Sequence, residues 1–130
     1  MILESLITNT DNPWLHSKGG NTTTDKVFLL SIGEVVDYFG DSGDLAKHKG
    51  WSFSGGKYEL CGRQGYYIND QYNDKRVAKF KGQACWWWLR SPGLQNCIAS
   101  NVYEDGSLRL SGIFNYHVEG GVRPALWIKL

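Results

Sequence analysis

DKVFLLSIGEVVDYF, residues Asp25 to Phe39, decides the reading because its period changes partway along. Lys26 to Leu30 is a short apolar run, the pattern of a buried strand. Ser31 and Glu34 then stand three apart as in a capping box, in which each side chain takes the other residue's backbone N–H. Ile32, Val35, Val36 and Phe39 follow at i, i+3, i+4 and i+7, so a helix beginning at Ile32 buries one face. Gly40 stands where a left-handed residue stops it. A buried strand running straight into a capped amphipathic helix predicts an α+β domain.

Working outward, residues 2 to 8 (ILESLIT) read as a strand and Asn9 to Thr24 as loop. Between Asp41 and Asn73 glycine is frequent and no period persists, which gives loops with one short helix around Leu45. A second helix is predicted over Asp74 to Phe80, with Asn73 as cap and Val77 and Phe80 facing inward. The remainder is strand-rich. Ala84 to Leu89 carries Trp86, Trp87 and Trp88, Ser91-Pro92-Gly93 turns the chain, and Ile98 to Tyr103 runs into Asp105-Gly106, a type I′ hairpin signal. Leu108 and Leu110 mark the return strand, a further strand lies around Ile113 to Val118, and Val122, Pro124, Leu126, Ile128 and Leu130 alternate onto one face.

The 130 residues suit one core, a single domain over 1–130. Fourteen Lys plus Arg against 13 Asp plus Glu leave a net charge of +1, too little field to draw in nucleic acid. No apolar run approaches the ~20 residues that cross a bilayer, so no membrane insertion is expected, and the opening MILESLITNT lacks the basic start of a signal peptide. Cys61, Cys85 and Cys97 are odd in number with no CxxC, which argues against a disulfide framework and a structural zinc and for reduced, mostly buried thiols. His16, His48 and His117 are isolated, and Glu104-Asp105-Gly106 reads as a turn rather than a calcium site. GxSxG, HExxH, P-loop and GxGxxG patterns are absent, so neither metal, cofactor nor catalytic residue is expected.

Strand alternation puts Trp86 and Trp88 on one face and Trp87 on the other, and burying a ring recovers so much apolar area that at least two of the three belong to the core. Arg90 precedes a Ser-Pro and Arg123 a Pro that bend the backbone, where a guanidinium either grips an anionic ligand or satisfies loop carbonyls from inside.

Three blocks, DKVFLLSIGEVVDYF, WWLRSPG at Trp87 to Gly93 and GVRPALWI at Gly121 to Ile128, resemble a widespread bacterial domain family. That resemblance implies a fold similar to C-type lectins and to formylglycine-generating, sulfatase-modifying proteins: a small twisted antiparallel sheet, two helices and long loops. It places Trp87, Trp88, Arg90 and Arg123 in the structural framework. The segment between the last two blocks also resembles the variable region of proteins diversified by retroelements. Framework-like Ala99, Val102, Gly106, Leu108, Gly112, Val118 and Gly121 alternate there with Gln95, Asn96, Ser100, Asn101, Tyr103, Arg109, Ser111, Phe114, Asn115 and Tyr116. The second set has the Tyr, Ser and Asn chemistry of adaptable binding surfaces. The expectation is a non-catalytic module whose face between Gly93 and Gly120 holds a protein or glycan ligand. Its rivals are an assembly module, which apolar surface around Ile2 to Ile7 would favour, and a degenerate oxidase holding copper on Cys85 and Cys97.

Overall fold

The computed structural model describes residues 1–12, 15, 17–48, 67–94 and 97–130. In chain order its elements are β1 (Ile2–Leu3), β2 (Ser5–Ile7), β3 (Thr23–Asp25), β4 (Phe28–Leu29), α1 (Ile32–Phe39), α2 (Asp44–His48), β5 (Tyr67–Ile68), α3 (Asn73–Arg76), β6 (Ala78–Phe80), β7 (Gln83–Cys85), β8 (Trp87–Pro92), β9 (Ile98–Val102), β10 (Leu108–Phe114), β11 (Pro124–Ala125) and β12 (Trp127–Ile128). Four strands form an antiparallel sheet in the order β5-β10-β9-β8, and β1 with β12, β2 with β3, β4 with β11 and β6 with β7 form two-stranded ribbons. The chain is an α+β domain of mostly antiparallel sheet with short helices.

The sheet has two unlike faces because strand side chains alternate. Ile68, Leu108, Val102 and Trp87 are register neighbours across all four strands, and each is buried. They join Leu89, Leu110, Phe28, Leu30, Ile32 and Val35 in the core, with Phe39 and Ala125 against its edge. One residue along, Tyr67, Arg109, Asn101 and Trp88 make the corresponding row on the opposite face.

α1 is built as its residues dictate. The Glu34 N–H donates to Ser31 Oγ at 3.2 Å and the Ser31 N–H to Glu34 Oε2 at 2.8 Å, a complete capping box. The WWLRSPG block then locks onto this cap: the Ile32 N–H donates to Ser91 Oγ (2.9 Å), the Arg90 N–H to the Leu30 carbonyl (3.0 Å), and the Arg90 guanidinium to Glu34 and the Leu29 carbonyl. The third block closes the other side. Gly121 exchanges backbone hydrogen bonds with Trp86 and Trp88, and Arg123 stacks over the rings of Phe39 (4.6 Å) and Trp87 (5.0 Å). Arg90 and Arg123 are thus turned inward onto carbonyls, a carboxylate and rings.

Arg76 is the largest fully buried charged residue, at 0% exposure. Its Nη2 bridges both carboxylate oxygens of Asp70 (2.9 and 3.0 Å) and donates to the Gly40 carbonyl (2.8 Å), while Nη1 reaches Asn73 Oδ1 (3.2 Å). Its own carbonyl accepts from Trp87 Nε1 (3.0 Å) and Arg123 Nη1 (3.3 Å). One residue therefore ties the end of α1, α3, β8 and the C-terminal block together.

Several expectations are corrected. The strand over residues 2 to 8 breaks at Glu4 into β1 and β2, each with a different partner, and Thr23–Asp25, within the predicted loop and its border, is the partner of β2. The helix over Asp74 to Phe80 ends at Arg76, Asn73 is its first residue rather than its cap, and β6 follows with Phe80 67% exposed. The cause is Lys81-Gly82, whose φ values of 51° and 80° fit a two-residue hairpin turn that pairs β6 with β7.

At Asp105-Gly106 the hairpin exists but only Gly106 has positive φ, at 83°. The Gly106 N–H donates to the Tyr103 carbonyl and the Tyr103 N–H to that of Ser107, which is a three-residue loop with glycine at the bulge rather than type I′. The separate strand around Ile113 to Val118 does not form; β10 runs through Phe114, with its register shifted between Arg109 and Ile113. Gly112 has φ 74° in that shift, and a Cβ there would lie 2.1 Å from the Ala99 carbonyl oxygen. Ser91 and Pro92 are the end of β8, an edge strand that tolerates a residue without an N–H. The alternation predicted over Val122 to Leu130 is not sustained: the segment divides into β11 on β4 and β12 on β1, Arg123 and Ala125 turn inward between exposed Val122, Pro124 and Leu126, and every residue from Leu126 to Leu130 is exposed. Cys97 is exposed and Cys85 half-buried, against the expectation of buried thiols, and both are free. Cys61 and His16 lie outside the described residues.

Removing one member of a buried ion pair costs about 3–5 kcal/mol because the other charge stays desolvated. Asp70→Asn is expected to lose that amount in urea denaturation, and adding Arg76→Met to it to cost far less than the sum of the single changes. Burial raises the carboxyls of Glu34 and Asp70, but hydrogen bonds from Arg90 and Ser31 at Glu34, and from Arg76, Ser42 and Tyr72 at Asp70, outweigh it and hold both below the usual range. A depressed carboxyl stabilises the fold fully above its unfolded value, about 4, and loses that contribution as pH falls through the folded value. Stability measured against pH should therefore drop below about pH 4, and Glu34→Gln should flatten that acid limb while lowering stability at pH 7.

Candidate ligand-binding face

The segment between Gly93 and Gly120 divides into a structural interior and an exposed end. Ser100 is fully buried, and its hydroxyl donates to the Leu110 carbonyl (2.9 Å), with the Pro92 carbonyl also within reach of its one proton (3.2 Å). Asn12, reaching in from the long N-terminal loop, donates to the same two carbonyls (3.3 and 2.9 Å). Both act where the β8–β9 and β9–β10 registers shift and ladder bonds are missing. Ser100 therefore sits inside the sheet, not on a ligand face. Asn101 is also 0% exposed, which corrects its placement on the surface; neither of its amide atoms has a hydrogen-bond partner.

Four of the remaining sequence-chosen residues come together. Arg109 and Ser111 line a cavity of about 530 Å³ with Leu94, Ile98, Ile113 and Phe114. Phe114 stacks on Tyr116 with centroids 5.2 Å apart and planes 14° from parallel, and Tyr116 on His117 at 5.0 Å and 28°. Tyr116 is 69% exposed. Phe114 thus joins an open aromatic stack to the cavity wall. Asn115 is exposed beside them, its N–H held by the Cys97 carbonyl at 2.9 Å.

Tyr103 is exposed but does not belong to this group. It sits at the β9–β10 hairpin, whereas Phe114 ends β10, and six residues of strand at ~3.4 Å each put roughly 20 Å between them. Gln95 and Asn96 lie outside the described residues. Of the framework-like set, Val102 and Leu108 are core and Gly106 and Gly112 meet backbone demands, but Val118 is largely exposed. Trp87 is buried, and Trp86 and Trp88, half-buried, pack edge to face at 4.8 Å on the opposite side.

A second groove, about 660 Å³, lies between the β6–β7 hairpin and Gly120 to Pro124, over Trp87, Cys85 and Arg123. Arg123, which lines it with Lys79 and Glu119, is spent on the Phe39 and Trp87 rings and on the Arg76 carbonyl, and burial lowers its pKa. Cys85 precedes β8 and Cys97 precedes β9; because those strands run antiparallel, with Trp87 opposite Val102 and Pro92 opposite Ala99, the two thiols lie at opposite ends of the ladder. They do not meet at a shared copper. No group of three metal-ligating side chains occurs among the described residues, and no helix among them is long and apolar enough to cross a membrane.

Sequence reasoning missed Tyr67, whose ring lies 5.3 Å from the Arg109 guanidinium, and missed Asp70 and Arg76 altogether. The Lys81-Gly82 pair was the available signal that the chain after Arg76 is a hairpin. Asn12 carried none, since an Asn in a polar loop gives no sign that it caps a sheet defect some 80 residues away.

No curated protein and no solved structure matches the chain. Residues 1–130 match the model of the family described as domain of unknown function (DUF6273), and the chain belongs to that family.

Proposed function

We propose that this domain is a non-catalytic recognition module on a C-type lectin-like scaffold, holding a protein or glycan ligand at the Phe114 end of β10. The single observation that carries the reading is the exposed Phe114–Tyr116 stack at the mouth of a cavity. Rigid aromatic rings give contact area at small entropic cost, and exposed clusters of them beside a concavity mark binding surfaces. The likeness of the three sequence blocks supports the lectin-like scaffold, and the Tyr, Ser and Asn content between the last two supports diversification by a retroelement.

A second reading draws on a different observation. Ile2, Leu3, Leu6, Trp127 and Ile128 are all exposed, and four of them pair across the β1–β12 ribbon. An apolar patch of this kind suits an assembly module that docks its host protein.

The Phe114→Ala, Tyr116→Ala double variant should stay folded with a loss of about 1–2 kcal/mol, since Phe114 is partly packed, and should lose at least tenfold in capture of the proteins and glycans that the parent binds on arrays. Equal binding by both proteins would assign the contact to the β1–β12 ribbon instead. For diversification the expected outcome is a near-copy of the Trp86 to Leu130 coding stretch beside a reverse-transcriptase gene, differing at adenines. Its absence from the surrounding DNA would leave a fixed surface.

A further inference from the structure

The described walls of the cavity beside Phe114 are mainly apolar and carry a single charge. Among the described lining residues Leu94, Ile98 and Ile113 are aliphatic, Phe114 is aromatic, and only Arg109 and Ser111 bring polar side-chain atoms. Arg109 makes no ion pair among the described residues; its guanidinium lies over the Tyr67 ring, and its buried Nε has no hydrogen-bond partner. Its register partner on β9 is Asn101, also buried with both amide atoms unpartnered. Two adjacent strand positions therefore hold three polar atoms without partners, where such groups are ordinarily paired. The buried Nε of Arg76 and of Arg90 is unpartnered as well, and Asn101 lies behind the cavity wall, so what sets Arg109 apart is its place in that wall.

Arg90 and Arg123 are consumed by carbonyls, a carboxylate and rings, and Arg76 by Asp70. Arg109 differs from them in lining a cavity with no carboxylate among its described residues. A guanidinium at an apolar wall favours a carboxylate, to which it makes charge-assisted hydrogen bonds strengthened by the low surrounding dielectric. The aliphatic walls select what carries that carboxylate. A sugar presents hydroxyls on every side and needs a matching set of donors and acceptors, which Leu94, Ile98 and Ile113 do not supply. An apolar amino-acid side chain needs none, and 530 Å³ falls in the range of small-ligand pockets.

Resting on the recognition reading above, we infer that this cavity takes a peptide segment in which an apolar side chain lies next to a carboxylate, with Arg109 holding the carboxylate and Leu94, Ile98, Ile113 and Phe114 enclosing the side chain. The carboxylate can be a chain terminus or an Asp or Glu side chain; the chemistry Arg109 reads is the same.

The test is selection of two random heptapeptide libraries on the intact immobilised domain, one with a free carboxyl terminus and one amidated. Selected peptides should pair an apolar residue with an acid, and synthetic versions should bind at least tenfold more weakly to Arg109→Gln, with Arg109→Lys intermediate. Enrichment in the amidated library at Asp or Glu assigns a side-chain acid; enrichment in the free-terminus library alone assigns a chain end. Ser111→Phe, which fills the cavity while leaving Arg109 in place, should also abolish binding, and thermal melts of each variant show that the fold persists. Peptides selected without acids, or bound equally by Arg109→Gln, overturn the inference while leaving the recognition reading intact. So does Arg109-dependent binding of N-acetylneuraminic acid without any peptide. If nothing is selected the inference fails, and the array comparison of the Phe114, Tyr116 double variant decides the broader reading separately.

Discussion

The fold depends on a charge taken out of water. Arg76 and Asp70 face each other at 2.9 Å with their side chains essentially inaccessible, and such a pair offsets its desolvation through hydrogen bonds to further partners. Here Ser42 and Tyr72 donate to the carboxylate, and Gly40 and Asn73 accept from the guanidinium, whose buried Nε is left without a partner. Every one of these groups sits at the end of an element or in a turn. The pair therefore does for the loops what apolar burial does for the strands: it sets where the end of α1, the approach to α3 and the underside of β8 must stand. Through its carbonyl it also orients the Trp87 indole, the largest side chain in the core.

From Trp87 the organisation passes into the sheet. Its register fixes Val102, Leu108 and Ile68 on the core side, and by alternation Trp88, Asn101, Arg109 and Tyr67 on the other. The bulges then alter that alternation further along. Beyond Gly112 the strand is re-aimed, so that Phe114 stands open to solvent, while Ser100 and Asn12 satisfy the carbonyls the irregular register leaves behind. The exposed end of β10 and the buried polar side chains beneath it are two results of one local departure from regular pairing.

What could be read from the residues follows from how local each cause is. The capping box, the buried face of α1 and the Tyr103 to Ser107 hairpin depend on residues within one turn of each other, and all are present. The helix expected after Asn73 stops at Arg76 because a two-residue turn at Lys81-Gly82 takes the chain back as strand, a hairpin whose partner lies outside the helical window. The apolar alternation from Val122 to Leu130 suggested one strand with one buried face, but the segment is shared between two ribbons, on β4 and on β1, and a pattern in one segment carries no sign of where its partners lie. At the site, Arg109, Ser111, Phe114 and Tyr116 were found by chemistry typical of binding surfaces, whereas Ser100 and Asn101, chosen by the same chemistry, serve or occupy the sheet interior. Polarity alone does not separate a side chain that meets solvent from one that repairs a ladder.

The two ends of the described chain lie side by side, with the Lys129 N–H donating to the Met1 carbonyl at 3.0 Å and Ile2 opposite Ile128. A unit whose entry and exit points coincide makes small demands on whatever polypeptide carries it. Spliced into a surface loop of a host, it requires of that host only the closure entropy of a few residues, and the sheet some distance away need not register that the splice exists. The same geometry makes the order of the strands separable from their placement, since joining the ends and opening the chain elsewhere would leave each pairing in the β5-β10-β9-β8 sheet unchanged.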